Sequence, residues 1–311
     1  MLRTIHQLST HEIQEAQRLI KKMILFLSPL ILIFILNYII DPFNLNHRIS
    51  LPLDKQKIAC HYNERLWKLN NFLIHPIKNI ILGDSRASRL SETTLQSLTN
   101  QPFANLSLSG ATLVEIIDTF WFAARHAKLN QVIFCINFDR FNDWQTANGV
   151  AQAVQTINNP LMNYLQPQTC KAVGLLLLQK MSKNSAVSQK PPVNRETFWQ
   201  FQIDEIDTAY KRYLFPQYAA SQLKAIAEYC KKHAIKLSFL IFPTHSDLQK
   251  RIDHAQLRNQ EIAFKKFLAS LAPVYDFDLI NEFTSNKYNF DDPKHVCFTA
   301  MDELIATGLK L

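Results

Sequence analysis

Lys78-Asn79-Ile80-Ile81-Leu82-Gly83-Asp84-Ser85-Arg86 is the stretch on which the fold turns. Three consecutive large aliphatic residues run into a glycine, an acid and a serine. An unalternating apolar run this short predicts a strand buried on both faces, with Gly83 starting the turn that follows. Further along, residues 103–108, 131–137, 236–242 and 274–279 have the same character. Amphipathic helical patterns separate them over 112–127, 215–234 and 247–271, and a last one covers 299–309. Strands alternating with helices of this length predict an α/β domain, a parallel sheet covered on both faces. In such a sheet the carboxyl ends of the strands face the ligand crevice, so Ser85 is presented there by the first strand.

Residues 143–214 break the rhythm. Helical segments are expected around 151–157 and 170–181, followed by a polar stretch, 182–195, with Pro191-Pro192. The segment reads as a helical insertion over the sheet. Gly174-Leu175-Leu176-Leu177-Leu178 is too short to cross a bilayer and reads as a helix packed on a core.

N-terminal to the sheet, residues 23–40 read MILFLSPLILIFILNYII, without a charge. At the helical rise this is about 27 Å, near the thickness of a bilayer core. Arg18, Lys21 and Lys22 precede it, so the positive-inside bias leaves residues 1–22 in the cytoplasm and the remainder outside. A cleavable signal peptide is the rival. Asn37-Tyr38-Ile39-Ile40-Asp41-Pro42 lacks a small-x-small cleavage site, which favours an uncleaved signal anchor. The expected organisation is therefore a cytoplasmic N-terminus (1–22), a single-pass transmembrane anchor in the inner membrane (23–40), a stem with a short helix (41–76) and an extracytoplasmic domain (77–311).

Composition excludes several classes. The 311 residues are 47% hydrophobic and 19% charged, enough apolar chain to bury a sizeable core. None of the five glycines falls in a glycine-rich phosphate loop. Ten histidines and five cysteines show no metal-ligand spacing, so neither a metal nor another cofactor is expected. The widely spaced, odd-numbered cysteines read as buried thiols, not as a disulfide framework. With 34 basic and 26 acidic residues the net charge is +8, but no basic cluster marks a nucleic-acid surface. That charge mildly favours an acidic glycan as neighbour.

A serine needs a base to act as a nucleophile. Near the C-terminus stands Asp291-Asp292-Pro293-Lys294-His295. Three residues separate Asp292 from His295, close enough for the carboxylate to orient the imidazole and stabilise its cation. The order would be Ser85, Asp292, His295.

Gly83-Asp84-Ser85, Asn105-Leu106-Ser107-Leu108-Ser109-Gly110 and Asp292-Pro293-Lys294-His295 resemble the first, second and fifth blocks of the SGNH (GDSL-type) hydrolases over about residues 77–311. The resemblance implies a flavodoxin-like three-layer α/β/α fold and ester hydrolysis or acyl transfer. It casts Ser85 as nucleophile, His295 as base and Asp292 as its orienting partner. Oxyanion donors would be the backbone N–H groups of Ser85 and Gly110.

One block departs from the pattern. Asn137-Phe138-Asp139-Arg140-Phe141-Asn142-Asp143 puts Asp139 where the family's asparagine is expected. An ionised carboxylate accepts but does not donate. Either Asn137 or Asn142 substitutes, or the hole uses backbone donors alone. Asp84, Asp139 and His245 are further candidate substrate contacts, His245 because it ends the strand at 236–242. Trp144 and Trp199, in the insertion, are candidates for stacking on a sugar. With an N-terminal anchor, the form resembles bacterial envelope members of the family. It implies an acyl-ester or glycan substrate and a membrane acyl-transfer partner, or a non-catalytic envelope protein that binds glycan or assembles a polysaccharide-modifying complex.

Overall fold

The computed structural model describes residues 10–46, 51–145, 147–182, 194–298 and 300–301. Most of the expected 299–309 helix and of the polar stretch 182–195 lies outside the described residues, as do residues 1–9. The chain divides into two compact units, residues 1–62 with 156–188, and residues 63–155 with 189–311.

In the first unit, α1 (Thr10–Ile40) is a continuous helix, long and apolar enough over Ile13–Ile40 to cross a membrane. Its apolar side chains from Met23 to Leu36 are largely exposed, as a lipid-facing surface would be. Its last turns are buried differently. Asn37 Nδ2 donates to the Tyr164 carbonyl at 2.6 Å, and the Tyr38 and Tyr164 rings meet edge to face at 5.3 Å. The segment after α1, expected as a polar stem, is folded. Asp41 accepts from the Leu45 and Asn46 amides, and buried Lys55 donates to the Asp41 carbonyl and to Asn44. Burial lowers the Lys55 pKa although Asp41 opposes it. Leu51 and Leu53 pack on a small core of Ile40, Ile58, Ala172, Val173 and Leu176. Of the leucine run at 174–178, Leu176 is buried in that core, Leu175 and Leu177 pack against it, and Leu178 is exposed.

The second unit begins inside α2 (Gln56–Ile74), where Asn63 leaves helical geometry. It then builds β1 (Asn79–Leu82), α3 (Glu92–Thr99), β2 (Phe103–Asn105), α4 (Leu113–His126) and β3 (Gln131–Cys135). The helical segment follows as α5 (Gly149–Asn158), α6 (Pro167–Ser182) and α7 (Arg195–Lys211). It is not one body, because residues 156–188, which hold α6, group with the first unit while α7 belongs to the second. After it come α8 (Gln217–Lys232), β4 (Lys236–Ile241), α9 (Ser246–His254), α10 (Arg258–Leu271), β5 (Val274–Asp276) and α11 (Glu282–Ser285). The last strands are β6 (Phe290–Asp292) and β7 (His295–Val296).

The five main strands form one sheet in the order β2-β1-β3-β4-β5, every neighbouring pair parallel. This is the flavodoxin-like order of a three-layer α/β/α domain. Right-handed crossovers put α4, α8 and α10 on one face, where α8 touches both of the others, and α3 on the opposite face. Ile80, Ile81 and Leu82 are fully buried, as the unalternating run requires. Two expectations need correction. The helix over 247–271 is two helices, because Gln256 takes a left-handed φ of 59° and the Leu257 amide folds back to the Ile252 carbonyl. The apolar pattern persists across this break through Ile252 and Phe264, which hid it. Helix α7 was not singled out within the expected helical insertion, although Trp199, Ile203, Ile206 and Tyr210 recur at helical spacing and are buried.

Candidate active site

The chain reverses direction along the sheet between β1 and β3, and the crevice at that switch point lies beyond their carboxyl ends. Gly83 makes the turn there possible. A Cβ on it would lie 2.6 Å from Ala87 Cβ and 2.8 Å from Cys135 Cβ, so only glycine lets the ends of β1 and β3 approach this closely. The chain then enters a short 3-10 turn, Ala87–Arg89. Ser85 does not cap that turn. Its Oγ is 2.7 Å from His295 Nε2.

Asp292 and His295 face each other across the β6–β7 hairpin, with Pro293 and Lys294 as its turn. His295 Nδ1 is 2.8 Å from Asp292 Oδ2 and 2.9 Å from Oδ1. Burial raises the Asp292 pKa, but the His295 hydrogen bond and charge and the Lys294 amide outweigh it, leaving the carboxyl below its ordinary range. Asp292 is therefore ionised at neutral pH and fixes an imidazole whose Nε2 faces the serine. Arg89 ties the two halves of this arrangement together. Its Nη1 donates to the Val296 carbonyl at 2.6 Å and pairs with Asp291, joining the serine's turn to the histidine's hairpin.

Gly110 lies on the loop after β2, at φ 65°, a conformation that favours glycine. Helix α2 holds this loop. Glu64 accepts the Ser109 amide at 2.8 Å, Arg65 reaches the Ser109 carbonyl at 3.4 Å, and Lys68 donates to the Ser107 carbonyl. Nothing in the sequence linked the helix before the first strand to the block-two loop, because the contact joins residues more than 35 positions apart. Ser85, Gly110 and His295 line a cavity of about 280 Å³ together with Arg86, Gln202 and Lys294.

The third block is built otherwise than expected. Asn137 spends its amide on the β4 extension, donating to the Phe242 carbonyl at 2.7 Å and accepting the Phe242 amide at 3.1 Å. Asn142 donates to the Ala209 carbonyl and accepts from the Leu214 amide. Each amide keeps a second N–H, but neither residue lines the cavity at Ser85. Asp84 borders the triad's cavity and Asp139 a neighbouring one, but neither is a free carboxylate. Both carboxylates are buried against Arg86: Nη2 is 2.5 Å from Asp84 Oδ2, and Nη1 is 2.8 Å from Asp139 Oδ1. Arg140 Nε adds a bond to Asp84 at 3.1 Å. Burial pushes both carboxyls up, but the charges of Arg86 and Arg140 outweigh it and hold both below the ordinary range. Arg86 and Arg140, which the sequence did not single out, thus join Lys294 as cations of the site.

His245 lies outside this cavity. It caps α9 by accepting the Asp247 amide, and it packs edge to face on Trp199 and Phe290. Burial lowers its pKa, with Asp247 opposing. Trp199 is itself buried, its indole N–H directed at Asp247, so it offers no sugar platform. Cys135 and Cys230 are buried, whereas Cys60, Cys170 and Cys297 are only half-buried, so the buried-thiol reading holds for two of the five. No His/Cys/Asp/Glu cluster suited to a metal occurs among the described residues.

No family model matches this chain, and no curated protein does. Solved structures similar to it include a protein assigned to a lipolytic G-D-S-L family, from Desulfitobacterium hafniense. It is 13% identical, covers 73% of this chain and 95% of its own, and gives a TM-score of 0.37. A GDSL-like lipase from Bacteroides thetaiotaomicron is 14% identical, with 74% and 86% covered and a TM-score of 0.35. Likenesses this distant carry no argument about activity; the fold rests on the strand order and the site on the hydrogen-bonded line from Ser85 through His295 to Asp292.

Proposed function

We propose that the chain is an SGNH-type serine esterase or O-acyltransferase, anchored by α1 and acting outside the cytoplasm on acyl esters, acetyl above all, of an envelope glycan. The observation that carries this reading is the unbroken hydrogen-bonded line from Ser85 through His295 to Asp292 at the wall of an open cavity. In the reaction, Ser85 Oγ attacks the ester carbonyl while its proton passes to His295 Nε2. Asp292 stabilises the resulting imidazolium. The tetrahedral oxyanion is met by the Ser85 and Gly110 backbone N–H groups, which have no protein acceptor among the described residues. Collapse expels the alcohol, which takes the proton from His295 and leaves an acyl-serine. Water or an acceptor hydroxyl then attacks the acyl carbon, its proton going to His295 and on to Ser85 as the serine leaves.

The exposed apolar surface of α1 and the basic residues before it support a membrane anchor with the sheet unit outside. A membrane partner that delivers acyl groups is compatible with that placement. One observation favours a second reading, a non-catalytic glycan-binding or complex-assembling protein: neither asparagine of the third block lines the triad's cavity. A fluorophosphonate probe separates the two. We expect labelling of the full chain at Ser85 alone, lost in His295→Ala. An unlabelled but cooperatively folded protein leaves the binding reading. A reporter fused after residue 60 tests orientation, and activity in the cytoplasm would refute it.

A further inference from the structure

Beside the triad's cavity lies a second one of about 370 Å³, and Arg140, Gln145, Glu205 and Lys294 line both. Trp144, Phe201, Asp204 and Asp139 are among its other walls. Both volumes suit a small organic ligand. Three features describe what would fit.

The basic groups here already have acidic partners. Arg140 is bonded to Asp84, Asp139 to Arg86, and Lys294 Nζ lies 3.0 Å from Glu205. Asp204 accepts from Gln200 at 2.8 Å. A carboxylate or phosphate entering the chamber would have to displace an internal acid, so the chamber disfavours an anionic ligand despite the chain's net charge of +8. Next, the side chain of Gln202 lines the triad's cavity at 7% exposure, and its Oε1 has no hydrogen-bond partner. A buried amide oxygen left unpaired costs stability unless a ligand donates to it. Rotation about its last torsion presents either amide atom, which suits a hydroxyl that both donates and accepts. Finally, Trp144 and the half-exposed Phe201 give the outer chamber aromatic surface, with the Arg212 guanidinium 5.4 Å from the Trp144 ring centre. Rings beside neutral polar groups bind the apolar C–H faces of a polyol while its hydroxyls pair at the edges.

We propose that this second chamber is the acyl-acceptor subsite and takes a neutral sugar, held over Trp144 with one hydroxyl reaching past Gln202 to the acyl-serine. This rests on the serine reading and narrows it to transfer. The acceptor oxygen bonds to the acyl carbon, the bond from that carbon to Ser85 Oγ breaks, and the acceptor's proton passes through His295 to the released serine. No other reactant is required.

Binding is tested apart from chemistry in full-length Ser85→Ala protein in detergent micelles. The readout is saturation-transfer NMR of maltotriose, cellotriose, xylotriose and chitotriose against trigalacturonate. At least one neutral trisaccharide should bind at least tenfold more tightly than the acidic one. Trp144→Ala and Gln202→Leu should each weaken it about tenfold, with partial rescue by Trp144→Phe. Preference for trigalacturonate, no neutral binding, or indifference to both substitutions would overturn the proposal. Wild-type protein is then given p-nitrophenyl acetate with the bound trisaccharide, and mass spectrometry should find acetylated sugar. Ester consumed with all acetyl released as acetate refutes the acceptor role and leaves the serine reading standing. Neither ester consumption nor fluorophosphonate labelling refutes both.

Discussion

Asp139 Oδ1 lies 2.8 Å from Arg86 Nη1, so the acid that replaces an expected oxyanion donor clamps the residue next to the nucleophile. Arg86 is 2% exposed and shared with Asp84 on its other side. A buried guanidinium between two buried carboxylates fixes the backbone on either side of Ser85. The third block thus acts on the site through Arg86 instead of through the substrate.

Restoring the family's asparagine should therefore do harm. Asp139→Asn leaves Arg86 with one ionised partner in a buried setting, and loss of such a partner costs about 3–5 kcal/mol. Chemical denaturation should report a loss of this order with no gain in turnover. A variant equally stable and more active would show that Asp139 stands in the oxyanion hole after all.

Within the triad, Ser85→Ala and His295→Ala should each remove several orders of magnitude from the turnover of an acetyl ester. Asp292→Asn, which spoils the imidazole's tautomer and removes its counter-charge, should cost on the order of 10⁴-fold in kcat. Initial rates on p-nitrophenyl acetate are the check. Near-normal turnover by folded Ser85→Ala would end the nucleophile assignment.

The two motif glycines should fail for different reasons. In Gly83→Ala the new methyl meets Ala87 and Cys135 Cβ atoms at 2.6 and 2.8 Å, and overpacking of this kind costs about 1–3 kcal/mol. A Cβ at Gly110 meets nothing within 4 Å, so Gly110→Ala should cost only the left-handed backbone penalty, about 1–2 kcal/mol. Replacement by Asn, which tolerates that conformation, should recover part of the loss at residue 110 and none at residue 83. Thermal unfolding of the four variants distinguishes the two causes.

Asp278 should make stability depend on pH near neutrality. Burial raises its pKa to about 7, against opposing bonds from the Thr244 hydroxyl and amide and the charge of Lys265. With the folded pKa above the unfolded one, the folded state holds the extra proton. Its contribution is full at low pH and is lost as pH rises from about 4 through 7. Asp278→Asn keeps an acceptor for Thr244 without the ionisation. The Tm of the variant minus that of wild type should therefore be near zero at pH 4 and positive at pH 8. Equal differences at both would refute the assignment.

Local chemistry settled what the sequence could determine. The aliphatic run before Gly83 can only be a buried strand, so the alternating elements and the parallel sheet were legible. So were the serine at a strand's carboxyl end and the uncharged span of α1. The motif residues Ser85, Asp292 and His295 could be named, but only folding brings Oγ within 2.7 Å of an imidazole 210 residues away. Asn137, Asn142, Asp84, Asp139 and His245 show the limit. A side chain's partners depend on which backbone or charge lies opposite it, and Phe242, Ala209 and Arg86 were placed there by packing. The same holds for Glu64 under the Gly110 loop and for the grouping of residues 156–188 with the N-terminal helix. Periodicity reports which face of an element is buried; it carries no information about what that face, or a polar atom on it, will meet.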